Sequence, residues 1–278
     1  MIVNRGHNTD TTSGNRQIIF CEGTSESIDE IFYKTLLGID ATKFELKPLG
    51  SSNTLFCYAE TKLIENGFCL MDRDFRTDEE ITELEKKYKI RFLRVHEVEN
   101  FLLNQKYLNK LDYIKQDIDI EDIIKETIKE NKNRLLADYL QHKINNYLNG
   151  TDYKFPRIGQ LKNNEILEED KIIEKLLSKL DTNYKKIEIK VNEIKENHID
   201  VWKKDFDNLP TDLLPGKEIF QKIKNKIFST FFSESDIAKD IATLMMEDGY
   251  LPNELQTIFN TQQNLGKEQV KTAEISDF

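Results

Sequence analysis

The sequence predicts an α/β protein: a parallel sheet with helices on both faces, plus a large helical insertion and C-terminal helices. Three observations predict it. Short apolar, β-favouring runs alternate with helical stretches of about ten residues between Gln17 and Asn100. The run Gly67–Met71 is apolar throughout, the pattern of a strand buried on both faces. From residue 105 the texture shifts to Lys, Glu, Asn, Ile and Leu with few Gly or Pro. Strands alternating with helices call for right-handed crossovers and a parallel sheet.

The elements follow in order. Residues 1–15 are polar and read as a flexible arm. Residues 16–104 form the first part of the core. QIIFC (17–21) is the first strand, and Ile28, Ile31, Phe32, Leu36 and Leu37 recur at helical spacing behind a Thr24 or Ser25 cap. KFELKP (43–48) alternates as a second strand. Gly50-Ser51-Ser52-Asn53 turns into a second helix. GFCLM (67–71) is the third strand, DEEITELEKKY (78–88) an exposed helix, and IRFLRV (90–95) a fourth strand. Residues 105–197 read as a helical insertion, with Ile120, Ile123, Ile124 and Ile128 at helical intervals. Residues 198–263 are expected to return to the sheet near 199–215 and then to close the fold with helices from Gly216, near 234–247 and near 252–263. Residues 264–278 read as a polar tail.

Composition excludes some classes. Of 278 residues, Lys+Arg number 40 against 50 Asp+Glu, a net charge of −10, so a passive basic nucleic-acid binder is disfavoured. Three cysteines without CxxC spacing, Cys21, Cys57 and Cys69, fit free thiols in a reducing cytosol. No run approaches the roughly 18 apolar residues that a membrane span needs. The expectation is a soluble, cytoplasmic protein with no membrane partner.

The acidic residues carry the chemistry. In a parallel sheet ligands bind beyond the carboxyl ends of the strands. Glu22 stands there after the first strand, Asp72 and Asp74 after the third, and Glu97 and Glu99 after the fourth. Carboxylates crowded at one edge repel unless a cation sits among them, and oxygen-only ligands favour Mg²⁺ or Mn²⁺. In an extended segment i and i+2 face the same way, so Asp72 and Asp74 can enter one site. Read alone, the pair could merely cap the helix that starts at Thr77. Glu22 is read as a ligand or as general acid/base. Of Glu97 and Glu99, Glu99 is favoured for a second metal position. Glu26, one turn beyond Glu22, is a further candidate ligand. Lys217 is read as a phosphate contact or a stabiliser of developing charge, and the Gly50 and Ser51 backbone as phosphate-contact candidates.

Glu22-Gly23 in IIFCEGTSES and Asp72-Arg73-Asp74 in GFCLMDRDF resemble the acidic pattern of the Toprim domain, a Glu after the first strand and Asp-x-Asp after the third. The HEVENFLLN and LPGKEIF segments are similar to the OLD-like Toprim group. Size and layout look most like the Toprim effector subunit of PARIS-type anti-phage defence systems. The resemblance covers 17–103 well and 198–230 loosely. It implies a metal-dependent endonuclease that cleaves RNA, in particular tRNA, when released from a separate ABC-type ATPase; by analogy the active state is a homodimer. No GxxxxGK[ST] occurs, so an ATPase would be another polypeptide. Three alternatives stay open: a non-enzymatic Toprim-like binding subunit of an ATPase complex, a DNA nuclease of the OLD type, and a phosphotransferase using Asp72 as nucleophile.

Overall fold

The computed structural model describes residues 16–38, 43–61, 64–150, 169–252 and 256. Four strands form one all-parallel sheet: β1 (Gln17–Cys21), β2 (Phe44–Pro48), β3 (Gly67–Met71) and β4 (Ile90–Phe92). Their spatial order is β2-β1-β3-β4, with Ile19 opposite Leu46 and Phe68, and Met71 opposite Phe92. The fourth strand stops at Phe92, three residues short of the expected run. Leu93 makes one more ladder bond, to the Met71 carbonyl at 2.9 Å, before the chain turns.

Helices join the strands. α1 (Ile28–Leu36) connects β1 to β2, α2 (Ser52–Glu60) connects β2 to β3, and α3 (Asp78–Lys87) connects β3 to β4. The first crossover moves outward to β2; the third moves outward to β4. The strand order therefore reverses between β1 and β3, and their carboxyl ends frame the crevice where such sheets bind ligands.

Alternation along the strands divides the core. Phe20, Cys69, Met71, Ile90 and Phe92 cluster with Leu55 and Ala59 of α2 and Ile81 of α3. Ile19, Cys21 and Leu70 point to the other face. α1 packs there against α10 (Glu234–Glu247), and Phe32 of α1 stacks on Phe101 at 5.2 Å.

After β4 come two short helices, α4 (Glu99–Leu102) and α5 (Gln105–Leu108), then α6 (Ile120–Glu130), α7 (Lys132–Gly150), α8 (Glu169–Asp205) and α9 (Gly216–Ile227). The chain divides into two compact units between Thr127 and Ile128 and between Pro210 and Thr211. The composition shift at 105 precedes this division because Tyr107, Leu108 and Leu111 are buried in the sheet unit. There, Lys106 and Lys110 pair with Asp248 at 2.7 and 2.9 Å, and Tyr113 donates to Asp240 at 2.8 Å.

The expected return to the sheet at 199–215 is corrected. This segment holds the end of α8 and two 3₁₀ turns, Phe206–Asn208 and Thr211–Leu213, and no strand. The expected arm 1–15, the tail 264–278 and most of the helix near 252–263 lie outside the described residues.

In the helical unit α7 packs on α8, a single 37-residue helix about 55 Å long. Tyr139 stacks on Trp202 at 5.0 Å and shares a 2.7 Å hydrogen bond with His198 Nδ1. Leu177, Tyr184 and Ile189 of α8 are exposed. No helix among the described residues is long and apolar enough to cross a membrane.

Candidate functional site

β1 ends at Cys21 and delivers Glu22 to the crevice. Gly23 then takes a positive φ of 90°, and a Cβ there would lie 2.3 Å from Ser27 Oγ. Glycine thus lets the chain fold back so that Ser27 can cap α1. Gly23 and Gly50 exchange two backbone hydrogen bonds of 2.7 Å, which tie the ends of β1 and β2 together. The Gly50 N–H is engaged there, so it is not the phosphate donor the sequence suggested. Ser51 Oγ caps α2 through the Thr54 N–H at 3.4 Å, the ordinary role of a serine at a helix start.

β3 ends at Met71 and delivers Asp72. The two acidic positions follow the paired strands β1 and β3, and the main-chain N–H of Asp72 helps hold the Glu22 carboxyl down. Glu22 Oε1 is buried without a hydrogen-bond partner. Burial, then the charges of Asp74 and Asp29, push the Glu22 carboxyl up to about 7, against the pull of the Asp72 N–H and Arg76. Burial also raises Asp72 well above the ordinary carboxylate range, followed by the charges of Glu22, Asp29, Glu97 and Asp74.

Asp74 joins this group by a different backbone route from the one expected. Its φ is +49°, a left-handed conformation, so the segment is turned and not extended. Its N–H donates to the His96 carbonyl at 2.9 Å, and its Oδ2 pairs with Arg76 Nη1 at 2.6 Å. Arg76 also bonds the Asp72 and Arg73 carbonyls at 3.3 and 3.2 Å and lies 5.1 Å over the Phe92 ring. Neither aspartate caps the following helix. Thr77 does so in a reciprocal box with Glu80, at 3.2 and 2.8 Å.

The HEVEN segment supplies the third wall. Burial, then the neighbouring Glu99, push Glu97 up to about 8, with Asp74 adding to the rise and the Lys217 N–H and charge opposing it. Burial also raises Glu99, which faces Asp29 and Lys217. Glu97 is thus the member on the Asp72 and Asp74 side, and Glu99, favoured from sequence, lies toward Asp29. His96 is buried, with its ring 4.6 Å edge-on from Phe75.

Lys217 sits at the start of α9, exposed, with its N–H on Glu97 Oε1 at 2.6 Å. Its charge lowers Asp29, Glu97 and Glu99, so it is the cation of this corner. Glu26 stands apart. It is exposed at a φ of 67°, its N–H is bonded to Glu30 Oε2 at 2.6 Å, and its charge is absent from the group around Glu22. Asp29 takes its place; burial pushes it up to about 6.

Sequence reasoning missed Asp29 and Arg76. Asp29 lies in the first turn of α1, where an acidic residue is expected for the helix dipole alone. Its alignment with Glu22 depends on the tight turn at Gly23. Arg76 has no pattern of its own; its role emerges only from the left-handed turn at Asp74.

An all-oxygen donor set of Glu22, Asp29, Asp72, Asp74 and Glu97 suits Mg²⁺ or Mn²⁺ in chemistry, and Glu22 Oε1 is a buried donor without a partner. Among the described residues no three His, Cys, Asp or Glu side chains converge to hold an ion as they stand. Asp74 is turned to Arg76 and Glu97 to the Lys217 N–H. Nearby, burial pushes up the Cys21 thiol, with the carboxylates of Asp29, Glu30, Glu22 and Asp72 adding to the effect, so it stays neutral.

No family model, curated protein or solved structure matches the chain.

Proposed function

We propose that the chain is a metal-dependent phosphodiesterase of Toprim-like type, an endonuclease acting on RNA. One observation carries the reading: Glu22 and Asp72 stand at the carboxyl ends of the paired strands β1 and β3, where the strand order reverses, and the charge of Glu22 raises Asp72 while those of Asp74 and Asp29 raise Glu22. Carboxylates held together at such cost to their ionisation suit a dication. The resemblance of the Glu22-Gly23, Asp72-Arg73-Asp74 and HEVEN segments to Toprim proteins supplies the reaction class. The same resemblance alone supplies tRNA as the substrate, an ABC-type ATPase as the restraining partner, a homodimer as the active state and anti-phage defence as the setting.

Glu22, Asp72 and Asp74 would hold one divalent ion, and Glu97 with Glu99 or Asp29 a second. Ions held there would supply an activated water and charge stabilisation for a phosphodiester's leaving oxygen. The protein's own groups do the rest. In the alternative in which Glu22 stands beside the ion and does not ligate it, its carboxyl, pushed up to about 7, can accept or release a proton near neutrality, as general acid/base work requires. Lys217 offers a positive charge at a helix start, where a phosphate oxygen is stabilised. Arg76 holds Asp74 and offsets part of the acidic charge.

The test incubates the purified chain with tRNA, single-stranded DNA and duplex DNA, with Mg²⁺ or Mn²⁺ and with a chelator. RNA fragments are expected with metal only, and none from Glu22→Ala or Asp72→Ala variants that melt like the wild type. Equal cleavage by the wild type and both variants would show that the reading is wrong. Cleavage of DNA alone would move the assignment to the OLD-type DNA nuclease.

A further inference from the structure

Asn100 joins its own turn after β4 to a segment that begins 111 residues further on, at Thr211. It is buried, and all of its amide is engaged. Its Nδ2 donates to the Thr211 carbonyl at 3.1 Å and to the Leu214 carbonyl at 2.9 Å. Its Oδ1 accepts the Glu97 N–H at 2.9 Å. Only an amide carries two donors and an acceptor in this arrangement. Gly216 packs directly on it: a Cβ there would come within 2.5 Å of the Asn100 N and 2.7 Å of Oδ1. One residue on, the Lys217 N–H reaches Glu97 Oε1 at 2.6 Å. The His96 N–H adds a bond to the Asp212 carbonyl at 2.6 Å.

Glu97 is therefore gripped at both ends. Asn100 bonds its main chain directly, and through the Thr211–Lys217 segment it sets the donor that orients the carboxylate. Thr211 is also the residue at which the chain re-enters the sheet unit. We infer that Asn100 is a positioning residue that clasps the Thr211–Lys217 segment and so fixes the Glu97 carboxylate, held by the Lys217 N–H, beside Asp72 for binding a divalent ion. This rests on the ion-site reading above, and it goes beyond that reading in assigning a role to a residue that touches neither ion nor substrate.

Two variants open the clasp from opposite sides. Asn100→Asp keeps the shape and the acceptor for the Glu97 N–H, but it turns the two donors into an oxygen facing two carbonyls. Gly216→Ala places a methyl against the Asn100 main chain. Ile90→Val, at the amino end of β4, is the control for general loosening. Amide hydrogen exchange at Glu97 and Lys217 and calorimetric titration with Mn²⁺ are read on the full chain. In Asn100→Asp the Lys217 amide should exchange at least about tenfold faster, while α1 and α10 keep their protection. The Mn²⁺ dissociation constant should rise about tenfold, the usual cost of losing a residue that orients a metal ligand. Gly216→Ala should shift both readouts in the same direction, and Ile90→Val neither. Unchanged Lys217 exchange in Asn100→Asp, or an equal shift in Ile90→Val, would overturn the clasp. A wild type that binds Mn²⁺ yet cuts no nucleic acid would refute the phosphodiesterase reading and leave the clasp intact. In a wild type without Mn²⁺ binding, the exchange rates alone decide it.

Discussion

In the sheet unit, α1, α2, α3 and α10 each start on a Ser or Thr side-chain cap, and Gly23, Gly67 and Gly216 sit where a Cβ would collide. In the helical unit, two long helices meet through a Tyr139–Trp202 stack, and their outer faces carry ion pairs such as Lys185–Asp181 and Lys190–Glu193. The first unit is specified by turn chemistry at fixed positions, the second by periodicity. Buried charge is concentrated in the first. That unit holds together carboxylates whose repulsion opposes folding, which is expected where a ligand offsets the strain.

The largest expected difference is in activity. Glu22→Ala or Asp72→Ala should reduce metal-dependent cleavage at least about a hundredfold, whereas Leu177→Ala on exposed α8 should leave the turnover of the isolated chain unchanged. Steady-state cleavage assays on the three variants check this. Comparable losses in all three would erase the contrast between the units.

Stability should separate them next. Leu55 is fully buried in the sheet core, so Leu55→Ala should cost about 2–5 kcal/mol. Tyr184 is exposed, so Tyr184→Ala should stay within about 0.5 kcal/mol. Urea unfolding of both variants measures the gap.

The metal-free protein should also respond to pH in a direction opposite to ordinary acid denaturation. Glu22 and Glu97 have folded-state pKa values of about 7 and about 8, above the unfolded carboxyl near 4.5. Between pH 5 and 8 the folded state therefore binds more protons than the unfolded one. The stability from these groups is complete below the unfolded value and is lost as pH rises through the folded values. A loss of about 1–2 kcal/mol per pH unit is expected over that window. Amide exchange should place it in β1 and β3 and not in α8.

The smallest contrast concerns caps. Ser27→Ala should cost about 1 kcal/mol by removing the α1 cap. Lys185→Ala removes only an exposed ion pair and should cost less than about 0.5 kcal/mol. Thermal melts of the two variants sharpen or close that difference.

Much of the sheet unit was legible in the residues. β1 and β3 fall at Gln17–Cys21 and Gly67–Met71 because each is a short apolar run closed by a charged residue at its carboxyl end. Glu22 and Asp72 could be placed at one edge because a parallel sheet brings alternate strand ends together. The expected strand near 199–215 did not form. Its Leu209, Leu213 and Leu214 follow no strand alternation, and the Thr211–Lys217 segment binds Asn100 by its carbonyls. Asp29 stayed hidden because its position depends on how tightly Gly23 turns. Glu26 was misplaced because helical spacing was applied across that turn, before α1 begins at Ile28.

The most direct test of the acidic edge as a divalent-ion site is thermal unfolding at pH 8 with increasing Mn²⁺, comparing the wild type with Asp72→Asn. A ligand that binds only the folded state raises the melting temperature with its concentration. The wild type should gain stability progressively, and Asp72→Asn should melt higher than the wild type without metal and stay flat as Mn²⁺ is added. A wild type indifferent to Mn²⁺, or an equal gain in both proteins, would contradict the account.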